Sequence, residues 1–289
     1  MDALFDPILA PIVDFASWFL GAAERRLGTS VRFEATRYFS ATLAVFLLVW
    51  IVFEGSLKAR KIPARGPRTF EARSRQIRRE IFYSISSVFV YMTMSIFLFE
   101  GAADGIFKFY HDPDKYGPLY KYGSFFILIL VHDAYFYWSH RAMHHPLLFK
   151  WTHAVHHRTK DPTPFTAYAF APGEAAVNFM IIPLYALVLP LHDMTTVYFL
   201  WFQIFRNAMA HAGYELMPRG WARHPILGLN SSVTHHHMHH EKMTGNYGFY
   251  FTFWDRLMGT EHKDYLDRVD AITAGDRRVE PNAIPSAGG

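Results

Sequence analysis

Residues 123–144 read Gly-Ser-Phe-Phe-Ile-Leu-Ile-Leu-Val-His-Asp-Ala-Tyr-Phe-Tyr-Trp-Ser-His-Arg-Ala-Met-His, an apolar run that ends on two histidines four apart. The run from Gly123 to Trp138 is interrupted only by His132 and Asp133. On an α-helix, positions three or four apart project from nearly the same face. His140 and His144 therefore form a pair of imidazoles pointing one way beside a membrane-embedded helix. The pattern recurs twice downstream, in His153-Ala-Val-His156-His157 and in His236-His237-Met-His239-His240.

Outward from this stretch, other apolar runs arrive in series. Tyr38–Phe53 and Ile81–Phe99 carry no charge, and Ala175–Leu191 and Thr195–Phe205 form a further pair broken at Pro190 to Asp193. They are not amphipathic, as the surface helices of a soluble protein usually are, and several fall slightly short of the roughly 20 residues that cross a bilayer core. The expected fold is all-α: an integral membrane bundle of four to five embedded helices, topped by a cytoplasmic helical cap that holds a histidine-ligated dinuclear metal site.

Orientation follows from charge. Nine basic residues lie between Lys58 and Arg79 (Lys58, Arg60, Lys61, Arg65, Arg68, Arg73, Arg75, Arg78 and Arg79), against the single acid Glu71. The positive-inside rule places this loop in the cytoplasm. Counting crossings onward puts all three histidine clusters on that same side of a multi-pass protein. A juxtamembrane patch facing anionic lipid accounts for the loop, and no nucleic-acid partner is expected. At the N-terminus, Leu4–Ala23 is apolar but contains Asp6, Pro7, Pro11 and Asp14. It reads as an interfacial or re-entrant helix rather than a cleaved signal. Residues 1–36 are thus expected to form an interfacial segment, 37–262 the membrane-embedded catalytic domain, and 263–289 a flexible polar tail.

The chain is 51% hydrophobic and contains no cysteine, so any metal must be held by nitrogen and oxygen ligands. Each ring nitrogen of a buried imidazole that lacks a partner costs about 1–3 kcal/mol. So many imidazoles at one face cannot all be absorbed in a marginally stable fold. Nor can they all be protonated, because packed like charges repel. Metal coordination resolves both problems. The number of ligands exceeds what one ion takes and points to two ions, each with four or five imidazoles and a position left open. Such a donor set suits iron working with dioxygen, with zinc the less favoured occupant. The alternative is a non-redox membrane protein that stores or passes zinc or iron.

The order H-x-x-x-H, H-x-x-H-H, H-x-x-H-H resembles the fatty acid hydroxylase and sterol desaturase superfamily of membrane di-iron enzymes. The resemblance extends to Asp133-x-x-x-Tyr137-x-x-His140-Arg141, to His145-Pro146-Leu147-Leu148-Phe149-Lys150, and to Pro162-Thr163-Pro164-Phe165 with Ala169-Phe170-x-Pro172-x-Glu174. It continues in Asn246-Tyr247-Gly248 and in Trp254-Asp255-Arg256-Leu257-x-Gly259-Thr260. Together these cover about Phe125 to Thr260. The resemblance implies nine metal ligands: His140, His144, His153, His156, His157, His211, His236, His239 and His240. His211 comes from the segment before the third cluster. Asn207, one turn earlier, stands where some relatives have histidine and is a candidate weak or indirect ligand. Asp133 is a second candidate for an indirect role, because a carboxylate in a spanning helix needs a partner. The activity implied is hydroxylation or desaturation of a lipid, sterol-like or fatty-acyl, that enters from the bilayer. Dioxygen would be co-substrate and a separate protein the electron carrier, since the chain carries no haem or iron–sulfur motif.

Overall fold

The computed structural model describes residues 6–63 and 69–275. Arg65 and Arg68 of the basic loop, together with residues 1–5 and 276–289, lie outside them. The chain begins with a 42-residue helix, α1 (Asp6–Leu47), which continues through a π-helical turn, Leu48–Val52, into the short α2 (Glu54–Leu57). α1 passes without interruption through residue 36, where the sequence suggested the end of a separate interfacial segment. Asp6 and Pro7, part of that reading, fall in the first turn of α1.

The second long helix, α3 (Phe70–Ala103), is capped by Thr69, whose Oγ1 accepts from the Ala72 amide. Next come α4 (Gly117–Met143) and the single turn α5 (Pro146–Phe149). The helical reading of Ala175–Leu191 is corrected: it splits into α6 (Pro172–Phe179) and α7 (Ile181–Val188), then ends in an extended pair of residues. Pro183 explains the split, because it has no N–H to bond the Phe179 carbonyl one turn back. α8 (Asp193–Ala210) follows, capped by His192 through a bond from the Met194 amide.

Ala10–Val52 and Phe70–Ala103 are long and apolar enough to cross a membrane, whereas four or five embedded helices were expected. On these helices and on α4 the apolar side chains face outward. Phe15 and Leu20 of α1, Phe82 and Phe89 of α3, and Phe126 and Leu130 of α4 are each more than half exposed. The interior between them holds Glu34, Arg37, Ser84, Ser87 and Ser95. An apolar surface this large belongs against lipid or a partner rather than water. One core lies between α1, α3, α8 and the turn Pro164–Tyr168, built on Tyr38, Val88, Tyr168 and Ile204. A second joins α4, α7 and α8 through Leu128, Ile182 and Phe199.

Three further helices, α9 (Val233–Lys242), α10 (Phe253–Leu257) and α11 (Tyr265–Thr273), complete the fold. From residue 276 the expected flexible tail lies outside the described residues, and over Tyr265–Thr273 that reading is corrected by α11. Its Tyr265, Val269 and Ile272 recur at helical spacing and are buried, the first two against Met238 of α9. Arg268 pairs with Glu241 at 2.6 Å. Among the described residues the fold departs from all-α in one two-residue parallel pair, β1 (Phe109–Tyr110) with β2 (Leu191–His192), and in two isolated antiparallel bridges, Lys61 with Tyr214 and Asn230 with Phe251.

Candidate metal centre

Four segments bring the nine histidines together. His140 lies in the last turn of α4, and His144 caps it. His153 follows α5, and His156 and His157 open a single 3-10 turn. His211 caps the C-terminal end of α8. α9, N-capped by Ser232 through the His235 amide, carries His236, His239 and His240.

These side chains form two groups. The first contains His140, His144, His153, His157 and His239; the second contains His156, His211, His236 and His240. Within each group one nitrogen per ring lies within 4.8 Å of all the others. Wherever two histidines of a box stand four apart, the pair shares a group. The third imidazole of boxes two and three, His156 and His239, crosses to the other group. Both assignments follow from helical geometry, because i and i+4 lie on one stripe and the intervening residue is turned away.

The contacts inside the groups are made by Nε2 atoms. Nε2 of His140 and His153 are 2.9 Å apart, and that of His157 is 2.9 Å from His239 and 3.2 Å from His144. In the second group, Nε2 of His236 lies 2.9 Å from His211, and that of His240 is 3.2 Å from both. The outward nitrogens fix the protons. Nδ1 donates to a backbone carbonyl in His140 (Tyr247, 2.9 Å), His239 (Gly245, 2.7 Å), His240 (Thr159, 2.8 Å) and His211 (Asn207, 2.8 Å). A carbonyl only accepts, so each of these Nδ1 atoms carries the proton and each Nε2 presents a lone pair. In the His211–His240 contact, therefore, lone pair meets lone pair.

Protonation does not relieve this opposition. Burial pushes the imidazoles down from their ordinary range, to about 3 for His140 and about 4 for His144 and His211. His153, His156, His157, His236, His239 and His240 are held well below it by burial first and by neighbouring imidazoles second. A cation between the nitrogens satisfies every lone pair at once. Two nitrogens bound at about 2.1 Å to one ion, at right angles, lie about 3 Å apart, in line with the separations found. The donor set therefore fits two metal ions. All nine donors are imidazoles, which suit iron, zinc, copper or nickel.

The supports behind the rings come from segments distant in sequence. Gly245 (φ 63°) and Asn246 (φ 49°) are left-handed, and a Cβ on Gly245 would lie 2.6 Å from the Thr260 carbonyl. The buried Asp255 accepts from the amides of Tyr247 (2.8 Å) and Gly248 (2.7 Å). This loop thereby holds two carbonyls behind His239 and His140. His153 is backed differently, by Oε1 of the buried Glu174 at 2.7 Å. Spacing alone does not reveal Glu174, which stands 21 residues away; only its place in the Ala169–Glu174 motif marks it. Phe136, Phe149, Phe170 and Tyr247 pack their rings against the histidines.

The two further candidates fall outside both groups. Asn207 donates from Nδ2 to the Ala167 carbonyl (2.6 Å), and its own carbonyl receives His211 Nδ1, so it orients a ligand through its backbone. Asp133 accepts from the Tyr250 (2.9 Å) and Phe251 (3.1 Å) amides and anchors the chain after α9 to α4. His235 and His237 are fully buried beside the groups without joining either. A cavity of about 690 Å³, bounded by Leu130, Asp133, Asn230, Phe251 and Trp254 among others, is lined by none of the nine histidines.

The fatty acid hydroxylase family profile matches residues 125–260, which contain all nine histidines. The human lathosterol oxidase is 32% identical over 216 residues, covering 70% of this chain and 69% of that protein. A Delta(7)-sterol 5(6)-desaturase of Gibberella zeae is 32% identical over 67% of this chain and 54% of its own length. A methylsterol monooxygenase of Aspergillus fumigatus is 34% identical over 52% of this chain and 50% of its own. The chain thus spans between half and slightly over two thirds of these relatives. No solved structure matches it. A family profile laid over the histidine groups and a relative matched along most of its length lead to one conclusion: the chain belongs to the fatty acid hydroxylase and sterol desaturase superfamily.

Proposed function

We propose that this protein is a membrane-bound di-iron oxidoreductase that hydroxylates or desaturates a lipid, sterol-like or fatty-acyl, with dioxygen and electrons from a separate carrier protein. The observation that carries this reading is the convergence of nine histidine ring nitrogens into two groups that suit a cation, in a chain whose relatives are named as sterol oxidases, desaturases and monooxygenases. An iron pair, when bound, supplies the capacity to activate dioxygen for attack on an unactivated C–H bond. Nine histidines hold the pair: five on one side, four on the other. The carbonyls of Tyr247, Gly245, Thr159 and Asn207 fix ring orientation, so each lone pair meets its ion without reorganisation. Phe136, Phe149 and Phe170 keep water from the ligands, and a dry surround favours oxidation of the lipid over side reactions.

The sidedness of the site is part of the proposal. Arg79 donates to Thr159 Oγ1 (3.5 Å) and Arg73 pairs with Asp161, so the basic start of α3 packs on the segment bearing His156 and His157. The positive-inside rule applied to those arginines supports a cytoplasmic metal site in a multi-pass protein.

The test compares lipid extracts from aerobic cells expressing the wild type and His156→Ala, by mass spectrometry. A wild-type-only product heavier by one oxygen identifies a hydroxylase, and one lighter by two hydrogens a desaturase. Identical extracts, together with zinc in place of iron in the purified protein, would sink the proposal.

A further inference from the structure

The two histidine groups differ in what stands behind their rings. In the four-histidine group, His211 and His240 rest on neutral carbonyls, and Nδ1 of His156 and of His236 has no partner among the described residues. In the five-histidine group, His140 and His239 also rest on carbonyls and Nδ1 of His157 is likewise without a partner among the described residues, but His153 rests on a carboxylate. Among the described residues, Glu174 is the only acid bonded to any of the nine rings, and its second oxygen has no partner.

The backbone is arranged for this contact. Glu174 lies in the first turn of α6, where a carboxylate is favoured by the helix N-terminus, directly after Pro172 and Gly173. A Cβ on Gly173 would lie 3.1 Å from the Trp151 carbonyl and 3.4 Å from Thr152. Such contacts are tighter than side chains usually make, so glycine eases the close approach of α6 to the 151–153 segment, where Oε1 lies 2.7 Å from His153. A carboxylate accepting the outer N–H of a ligating imidazole raises the basicity of the ligand.

We infer that Glu174 is a positioning residue that makes the two metal groups inequivalent, so that the five-histidine group holds its ion more tightly than the four-histidine group. The inference rests on the metal-loaded state proposed above. It adds to that proposal an order of release: the ion between His156, His211, His236 and His240 leaves first. It also assigns Glu174 a role that no carbonyl in the site can reproduce, since only a carboxylate adds negative charge behind the ring.

The test is stepwise chelation of the iron-loaded, full-length protein in lipid nanodiscs, counting iron by elemental mass spectrometry and following 57Fe by Mössbauer spectroscopy. The wild type should release one equivalent clearly before the other, and the signal that persists should be absent from His144→Ala. In Glu174→Gln the retained ion should bind about 10- to 100-fold more weakly, so that the two releases merge. Glu174→Asp, which keeps the charge, should restore part of the separation. Simultaneous release from the wild type, or undiminished separation in Glu174→Gln, would overturn the inference. So would a lower unfolding temperature of apo Glu174→Gln than of the apo wild type, which would mark a merely structural residue. A protein that purifies without any metal would instead overturn the oxidase reading, and this inference with it.

Discussion

α1 and α9 reverse the usual relation between polarity and burial. α1 is strongly apolar, yet Ile12, Phe15 and Leu20 lie more than half exposed. α9 reads Val-Thr-His-His-His-Met-His-His-Glu-Lys, and every residue from Val233 to His240 is buried. Neither arrangement makes sense in water. On the reading proposed above, each helix is matched to a different surrounding, lipid for α1 and a cation for α9.

The contrast is broken most severely on the α9 side. His240→Ala should cost the four-histidine group its ion and reduce turnover by roughly 10³-fold, since a metal contributes several kcal/mol and each 1.36 kcal/mol is tenfold. Iron content and product formation check this; turnover within tenfold of wild type would refute it. Chelation of both ions should come next. Stripping ions that saturate their sites 100- to 1,000-fold removes about 3–4 kcal/mol per ion, seen as a lower unfolding temperature.

The stripped protein should also weaken as pH falls. His211 and His144 titrate near 4 in the fold but near 6.5 in the unfolded chain, which therefore takes up the proton first. Stability is full above about 6.5 and should fall towards pH 4 by roughly 1.4 kcal/mol per pH unit for each such group. A flat profile over that range would contradict the burial of these rings. The smallest effect belongs to α1: Leu20→Ala should shift stability by less than about 0.5 kcal/mol in a bilayer. A loss above 2 kcal/mol would mean this face packs against protein rather than lipid.

The same contrast separates what could be read from the sequence and what could not. Ligand spacing is local, so a helix writes it directly into the chain, and eight of the nine grouped histidines follow from three boxes. His211 stands alone and becomes visible only through its flanking motif. The supports are not local: Gly245 and Tyr247 reach their histidines through a left-handed turn fastened by Asp255, and Glu174 reaches His153 from the first turn of α6, which begins at Pro172. α11 was missed because a nine-residue helix offers only three core positions, too few to stand out beside a polar end. The split at Met180 was legible in principle, since Pro183 states it, but the apolar run around it masked the break.

In polymer terms, the histidine groups, if loaded as proposed, would act as cross-links in a chain that has no cysteine to form covalent ones. His144 and His239 meet although they stand 95 positions apart in the chain, and His157 and His239 although they stand 82 apart. Closing loops of that size carries an entropic cost that rises only slowly with length. Unlike a disulfide, an ion that ties them would be released as the chain unfolds, so it would stabilise the fold by binding, by about 3–4 kcal/mol at 100- to 1,000-fold saturation, and not by restricting the unfolded chain. Iron supply should therefore govern how much of this protein a cell accumulates as well as how fast each copy turns over.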